Sequence, residues 1–223
     1  MYPIHSCIEK LSQNGEMSTD SPPMSARRLQ TRQRLMDAAV GVFAEKGIEG
    51  ASVEEISEAA GFTRGAFYSN FDSKDALCFA LQGAITERFL ESVQVTVKRV
   101  AATERQQMAP ADLIDLAIDT FLTIQPSDRP TILLLMEMQL YALRHPDFAE
   151  LHTALQSQTL HEFSEVLSST LADHGLSLSL PTDQVVDILH AVHHATQANA
   201  LLRPSTPSPL GTQLKALLAA LLH

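Results

Sequence analysis

The sequence predicts an all-α fold. From Arg27 onward, apolar residues recur at helical spacing, and Gly, Pro, Ser and Asp residues separate the apolar segments. No segment shows the sustained alternation of apolar and polar residues that is typical of a half-buried β-strand. With 223 residues, of which 45% are hydrophobic, the chain is long enough for one large domain or two modest domains with their own cores.

The first predicted helix spans about residues 26–46 and carries an apolar stripe along one side. The stripe repeats at i, i+4, i+7 and i+8 and consists of Leu35, Ala39, Val42 and Phe43. Gly47 is expected to end this helix, because glycine adopts the left-handed conformation at a helix C terminus without steric strain. Residues 1–25 lack helical spacing and include Ser21-Pro22-Pro23, so we expect them to form a flexible tail outside the fold.

Two short helices are predicted next, joined by a tight turn. Ser52 and Glu55 have the spacing of a capping box, which begins the second helix, and Gly61 ends it. Thr63 caps the third helix, which is predicted to continue to about Phe71. Two short helices joined by so short a connection are typical of a helix-turn-helix.

Six further helices are predicted beyond this motif. The first starts near Lys74, where Asp72 and Asp75 are expected to supply the cap. The others are placed at about 111–124, 130–144, 147–174, 181–203 and 210–222, mostly bounded by Pro or Gly. We therefore divide the chain into a helix-turn-helix domain at 26–74 and a larger helical domain at 75–223.

The third predicted helix has the two-sided character of a helix that enters the major groove of DNA. Phe67 and Phe71 are four residues apart and are expected to face inward. The opposite side is expected to face the groove and its phosphate walls through Arg64, Gly65, Ala66, Tyr68, Ser69 and Asn70. Arg64 could read a guanine edge or hold a phosphate, and the sequence does not decide between these contacts.

Phosphate contacts are predicted on both sides of this helix. Thr63, Tyr68 and Lys74 are suited to phosphate contact, because a hydroxyl or ammonium group beside a helix N terminus strengthens an anion site. The alternatives are partial burial of Tyr68 against the first helix and a surface ion pair for Lys74. Ser52 is a further candidate DNA contact. A second set forms a basic arm before the motif and consists of Arg27, Arg28, Arg32 and Arg34. The alternative for the arm is a solvated helix face. The net charge of −10 argues against nucleic acid at first sight, but screening over about 8 Å separates the arm from distant acidic residues.

Taken together, these residues resemble the DNA-binding domain of the TetR/AcrR family of one-component regulators. The resemblance lies in Thr31-Arg32-Gln33-Arg34-Leu35, Ala39, Phe43, Gly47, Ser52-Val53, Ile56, Ala59-Ala60-Gly61, Gly65, Phe67-Tyr68, Phe71, Ser73-Lys74 and Leu77. The family's usual Tyr-x-His-Phe is Tyr68-Ser69-Asn70-Phe71 here. Asn70 can still donate a hydrogen bond to a phosphate, but it cannot become charged.

The resemblance implies a homodimeric repressor that a small molecule releases from a palindromic operator in double-stranded DNA. It implies that the dimer forms through the helices at about 147–174, 181–203 and 210–222, and that effector binding changes the distance between the two DNA-reading units. Two units about 34–36 Å apart would fit successive major grooves on one face of DNA. The protein is then expected in the cytoplasm, associated with the nucleoid when it is bound to DNA.

A pocket for the effector is predicted within the larger domain. Residues 132–141 are apolar nearly all round, which indicates a helix buried on most sides, either beside a pocket or in ordinary core. Candidate ligand contacts are Phe89, Phe121, Met136, Met138, Tyr141 and Phe163. They favour a mostly apolar effector. Glu137 within this run could pair with a cationic ligand or could face solvent.

Asp187, His190 and His194 share one predicted helix face, with His193 beside them. The i, i+4 spacing of His190 and His194 is compatible with a metal, yet histidines on a polar stripe need no ion and could instead confer pH sensitivity. We predict no metal and no cofactor.

The sequence contains no feature that predicts an enzyme or a membrane protein. We find no Ser/His/Asp arrangement, phosphate-binding glycine loop or HExxH pattern, no apolar run near the roughly 20 residues of a membrane span, and no secretory signal. Cys7 and Cys78 are too far apart in sequence to suggest a disulfide framework. Two alternatives remain: a helical adaptor whose helix-turn-helix is vestigial, and an enzyme that uses the cavity of the larger domain.

Overall fold

The computed structural model of the chain describes residues 25–103, 112, 115–116, 118–119, 128–203 and 210–221. Its helices are α1 Ala26–Gly50, α2 Val53–Ala59, α3 Arg64–Tyr68, α4 Lys74–Thr103, α5 Arg129–Arg144, α6 Pro146–Asp173, α7 Thr182–Leu202 and α8 Leu210–Leu221. This confirms the all-α prediction. The tail predicted at 1–25 lies outside the described residues except for Ser25, and the helix predicted at 111–124 is helical at the few positions described there.

Local interactions place most helix boundaries where the sequence predicts them. Ser25 caps α1, and Gly47, with φ of +74°, interrupts its last turn. The cap of α4 differs from the prediction, because the Ser73 hydroxyl, and not Asp72, accepts the backbone N–H of Ala76 at 3.1 Å. Among the described residues, no helix is both long enough and apolar enough to cross a membrane.

Helix α3 is shorter than predicted and ends at Tyr68 instead of Phe71. The side chains of the next two residues bond back to the helix: Ser69 Oγ donates to Gly65 O at 2.9 Å, and Asn70 Nδ2 donates to Ala66 O at 2.8 Å. Such side chains compete with the backbone for helical carbonyls and favour helix termination. Phe71 nevertheless keeps its predicted inward position, since only 3% of its surface is exposed.

We call α1, α2 and α3 with the turn up to Phe71 the head. Its core contains Leu35, Ala39 and Phe43 of the predicted stripe together with Ile56 and Phe67, all fully buried. Val42, the remaining stripe residue, is partly buried against this core. The same cluster of buried residues continues into α5 and α6 through Leu134, Met138 and Phe148. The domain boundary at residue 74 stays a prediction, and the buried core runs across it.

A second core lies between α7 and α8. It consists of the buried residues Ile118, Val185, Leu189, Leu214 and Leu218. On its surface, the Lys215 ammonium lies 3.0 Å from an Asp119 carboxylate oxygen. Helix α8 is therefore packed onto α7 and the helical residues near 118.

Helix α5 lies against the C-terminal end of α1. The positive φ of Gly47 and the close approach of Glu137 both favour glycine there, because a Cβ at position 47 would lie 2.8 Å from Glu137 Oε2. Nearby, Glu49 accepts hydrogen bonds from His145 at 2.9 Å and Arg144 at 3.3 Å. Neither interpretation of Glu137 from the sequence anticipated this position beside the head.

Candidate nucleic-acid interface and ligand cavity

The predicted capping box forms at the start of α2. The Ser52 hydroxyl accepts the backbone N–H of Glu55 at 3.2 Å, and the Glu55 carboxylate accepts the backbone N–H of Ser52 at 2.9 Å. Lys46 also donates to Glu55, at 2.5 Å. The Lys46 ammonium and the donors of Ser52 lower the pKa of Glu55 to about 2. Ser52 thus has a structural task in addition to its predicted DNA contact.

The turn between α2 and α3 is held by backbone geometry and one arginine. Gly61 has φ of +73°, and the backbone N–H of Phe62 donates to Ser57 O at 2.8 Å. Arg34 donates to Ala60 O at 2.8 Å and lies over the Phe62 ring at 4.6 Å. Arg34 therefore fixes the turn instead of acting as a free member of the basic arm.

Helix α3 presents one side to solvent, as predicted. Thr63 caps it by accepting the backbone N–H of Ala66 at 3.3 Å, and Phe67 is fully buried beneath it. The outward positions are exposed at Thr63, Arg64, Gly65, Tyr68 and Ser69 and partly exposed at Ala66 and Asn70. Because the amide group of Asn70 already donates to the end of α3, its predicted phosphate contact would compete with that bond.

Arg64 and Tyr68 form the most prominent part of this face. The Arg64 guanidinium lies 2.6 Å from a Glu54 carboxylate oxygen, and the two side chains are 62% and 50% exposed. It also lies 3.5 Å from the Tyr68 hydroxyl, and Tyr68 is 46% exposed. Exposed ion pairs contribute little to stability, so Arg64 can exchange Glu54 for another anionic partner.

The basic arm divides into structural and exposed arginines. Arg32 donates to Asn70 O at 2.6 Å and lies over the Phe71 ring at 4.0 Å, and burial lowers its pKa, with a further contribution from Arg28. Arg28 is exposed and donates to Ser69 O at 3.0 Å, while Arg27 is exposed as well. Arg32 thus packs at the joint between α1 and α3, and its predicted DNA contact stays a prediction.

Lys74 also differs from its prediction as a phosphate contact. Its ammonium donates to Ile48 O at 2.8 Å, Ala51 O at 2.7 Å and Glu49 O at 3.4 Å. These bonds satisfy carbonyl groups around the end of α1 and leave the ammonium little capacity for a phosphate. Sequence analysis missed this role, because the pairing joins residues 23 to 26 positions apart.

A cavity of about 300 Å³ lies among α4, α5, α6 and α7. Phe89 and Phe163, both predicted ligand contacts, line it. Met136, Met138 and Tyr141 do not: Met138 lies in the core below the head, and the Tyr141 hydroxyl donates to Asp75 at 3.1 Å. Phe121 lies outside the described residues. The run 132–141 therefore contributes to both core and cavity, on different sides of α5.

Most of the cavity wall is apolar, but polar side chains form one part of it, which the sequence did not predict. His152 Nδ1 lies 2.9 Å from Gln82 Oε1, and Gln156 Nε2 donates to His190 Nε2 at 2.8 Å. Burial lowers the pKa of His152 and of His190, and lowers that of His193 to about 4. These imidazoles are therefore uncharged near neutral pH.

The histidines of α7 face this cavity. The rings of His190 and His194 lie 6.4 Å apart, and both residues line it together with His193. In the described ranges, no three or more His, Cys, Asp or Glu residues are grouped as a metal site requires. We assign the histidines to the cavity wall, where Asp187 is not a lining residue.

The fold and the exposed face of α3 place the chain among helix-turn-helix proteins. The structure of SmeT, the repressor of the Stenotrophomonas maltophilia multidrug efflux pump SmeDEF, superposes with a TM-score of 0.60 at 23% identity. The alignment covers 86% of this chain and 90% of that chain. This similarity extends over both the head and the larger helical region.

Sequence comparison finds relatives of the helix-turn-helix part of the chain. Residues 35–81 match the bacterial regulatory proteins of the tetR family. An HTH-type transcriptional repressor of Mycobacterium tuberculosis is 43% identical over 68 residues, which are 30% of this chain and 36% of that protein. Residues 35–81 are therefore similar to the bacterial regulatory proteins of the tetR family, and the predicted resemblance of this part of the chain is confirmed.

A second relative matches over a longer segment. The HTH-type nicotine-responsive transcriptional repressor of Paenarthrobacter nicotinovorans is 29% identical over 144 residues, which are 65% of this chain and 71% of that protein. In contrast, the match to the M. tuberculosis repressor spans only about a third of the relative's length. These relatives are regulators, in agreement with the non-enzymatic class predicted from the sequence.

Proposed function

We propose that this chain is a transcriptional repressor that binds operator DNA as a homodimer and is released by a small molecule in the cavity. The observation that carries the proposal is the two-sided structure of α3. Phe67 is fully buried, whereas Arg64 and Tyr68 project from the opposite side into solvent. A helix of this kind, positioned by two preceding helices, is how a helix-turn-helix presents side chains to the major groove.

Each exposed group on this face has a role in the proposed complex. Arg64 leaves Glu54 and contacts a guanine edge or a phosphate, and Tyr68 donates its hydroxyl to the DNA backbone. Gly65 lets the backbone approach the duplex closely, because it carries no side chain. Phosphate contacts are proposed for the exposed or partly exposed polar residues Arg27, Arg28, Ser52, Thr63, Ser69 and Asn70. A bacterial operator lies in the cytoplasm, where this complex would form.

The proposed dimer uses the C-terminal helices. Helix α7 buries one side in the second core and leaves Ile188 38% and Leu202 78% exposed. Exposed apolar residues on a helix favour association with another surface. In a two-fold dimer through α7 and α8, with α6 beside them, the two heads would need to lie about 34–36 Å apart to enter successive major grooves.

The proposed trigger is occupation of the cavity. Helix α4 connects the two regions, since its first residue, Lys74, bonds to the end of α1 and its residue Gln82 lines the cavity. A ligand that displaces α4 would therefore move the head. The response of the P. nicotinovorans relative to nicotine supports a small molecule as the effector.

The test begins with an operator selected from a random DNA pool, with binding measured by fluorescence anisotropy. Arg64→Ala and Tyr68→Ala should each reduce affinity at least about tenfold without lowering the thermal midpoint, because both side chains are exposed. Glu54→Gln should raise affinity severalfold, because it removes a negative charge and frees Arg64. The matched control Glu58→Gln removes an exposed acid from the same helix, and its affinity should change less than that of Glu54→Gln.

The salt dependence of the wild type provides a second criterion. Contacts to several phosphates should make the affinity fall steeply as salt rises. Unchanged affinity in both the Arg64 and Tyr68 variants, or an affinity independent of salt, would refute the proposed interface.

A further inference from the structure

The cavity is bordered by three side-chain pairs that join α4 to α6. Gln82 lies beside His152 at 2.9 Å, and the hydroxyls of Thr86 and Thr159 lie 3.4 Å apart. The third pair is aromatic: the rings of Phe89 and Phe163 meet edge to face at 5.4 Å between centroids. All six residues line the cavity. Because successive pairs lie about one turn apart on α4, the wall changes from polar to aromatic along its length.

The polar end of this wall offers uncharged hydrogen-bonding groups. Burial keeps His152 and His190 neutral, as their lowered pKa values indicate, so each ring has one N–H and one lone pair. Gln156 donates to His190 Nε2, so the ring proton of neutral His190 is on Nδ1. The carboxamides of Gln82 and Gln156 add both donors and acceptors. These groups match a ligand that both donates and accepts hydrogen bonds.

The charged residues of the lining lie at its exposed rim. Among the described lining residues, these are Arg88 and Asp128, and both are exposed. Asp128 is already engaged, because its Oδ1 caps α5 by accepting the backbone N–H of Thr131 at 2.9 Å. An ion that entered the histidine end would lose its water without gaining a full opposite charge there, which is unfavourable.

We infer that the cavity binds a small uncharged ring compound whose polar group meets the histidine and glutamine side chains while its ring packs on Phe89 and Phe163. This inference rests on the proposed function in taking the cavity as the effector site. Aromatic rings favour such edge and offset contacts. A volume of about 300 Å³ lies at the lower end of the roughly 300–1,000 Å³ that is typical of small-molecule sites, so the cavity fits a small ring compound. The mostly apolar effector expected from the sequence stays a prediction, and the inference adds to it an aromatic ring and one uncharged polar group.

Three probes of nearly identical shape separate charge from size. Benzamide is neutral, benzoate carries a negative charge and benzamidinium carries a positive charge. Binding to the full-length protein is measured by ligand-observed NMR and by the shift of the thermal midpoint. We expect benzamide to bind at least about tenfold more tightly than either ion, which corresponds to 1.4 kcal/mol. Equal or tighter binding of either ion, or no binding of any probe, overturns the inference.

Substitutions in the wall locate the binding. Gln156→Leu keeps the size of the side chain but removes its amide, so benzamide affinity should fall about tenfold or more. His161→Leu is the matched control, because His161 lies on the same helix but is exposed and outside the cavity. Equal losses in both variants, or no loss in Gln156→Leu, would contradict the assigned contacts. If Gln156→Leu does not fold, the ranking of the three probes on the wild type still decides whether the cavity prefers an uncharged ligand.

The DNA-binding experiment separates this inference from the proposed function. Benzamide binding is measured without DNA, so it does not depend on the operator. If benzamide is preferred but Arg64→Ala and Tyr68→Ala bind DNA like the wild type, the proposed interface fails and the ligand class stands. If those variants lose DNA binding while an ion is preferred in the cavity, the ligand class fails and the interface stands.

Discussion

The head and the cavity region use their polar side chains in different ways. The backbone carbonyls of the head accept hydrogen bonds from charged side chains: Asn70 from Arg32, Ala60 from Arg34, and Ala51 from Lys74 at the start of α4. In the cavity region, uncharged side chains pair with one another, as Gln156 and His190 do.

The two kinds of contact have different consequences for motion. A carbonyl that loses its cation is left without a partner, so the head has little freedom to rearrange. A glutamine or histidine can exchange its partner for a ligand group of the same kind. The comparison indicates that the head moves as a unit, whereas hydrogen bonds in the cavity can be exchanged for bonds to a ligand.

The largest expected effect concerns the core of the head. Phe67→Ala removes a fully buried ring and should lower the free energy of unfolding by about 3–5 kcal/mol, with loss of DNA binding as a consequence. The adjacent exposed Tyr68 provides the contrast, since Tyr68→Ala should lose DNA binding without loss of stability. Urea denaturation followed by far-UV circular dichroism measures the stability of both variants. A Phe67→Ala variant as stable as the wild type would contradict the described core.

A smaller effect is expected at the cation that joins α4 to α1. Lys74→Met should lower the free energy of unfolding by about 1–3 kcal/mol, because it leaves carbonyl groups of the α1 end without a donor. Lys46→Met, the control, removes an exposed lysine that pairs with Glu55, and its loss should be smaller. The slope of DNA affinity against salt should be unchanged in Lys74→Met. A slope reduced by about one would restore the phosphate contact predicted from the sequence.

The most gradual effect, spread over more than two pH units, separates the two regions by pH. The pKa of His193 falls from 6.5 to about 4 on folding, so the unfolded chain binds more protons between these values. Stability should therefore be complete above pH 6.5 and fall by about 1 kcal/mol per pH unit toward pH 4. The pKa of Glu55 is lowered from 4.5 to about 2, so its contribution is present above pH 4.5 and is lost only toward pH 2.

Substitution of each group tests these two windows. His193→Gln should flatten the loss of stability between pH 6.5 and 4, whereas the exposed control His161→Gln should not. Glu55→Gln should lower stability above pH 4.5 by a constant amount and should flatten its pH dependence only between pH 4.5 and 2. Denaturation at a series of pH values measures each profile. An unchanged slope in His193→Gln would show that another group causes the loss in the upper window.

The sequence predicted the helices well because their boundaries depend on local chemistry. The capping box of Ser52 and the positive φ of Gly47 and Gly61 involve neighbours a few residues away. The same is true of the inward position of Phe67. The end of α3 was predicted too late, because side-chain bonds from Ser69 and Asn70 to the helix compete with its continuation.

The partners of the long polar side chains could not be predicted in this way. Whether Arg32 faces DNA or packs on Phe71 depends on how α1 crosses α3, which sequence spacing does not specify. The same limit applies to the polar cavity, because Gln82 and His152 are 70 residues apart and meet only when α4 packs on α6. Apolar spacing identified Phe89 and Phe163 but gave no sign of their polar neighbours.

The buried core shared by the head and α5 sets a limit on modular engineering. A chimeric biosensor that fuses this head to the ligand-binding part of another regulator would bring a foreign helix against Gly47. That helix would need to fill the space of Leu134 and Met138 and to leave the glycine unobstructed where Glu137 now lies. Exchange of the head together with the start of α4, α5 and the start of α6 preserves this joint and is the appropriate unit for such a transfer.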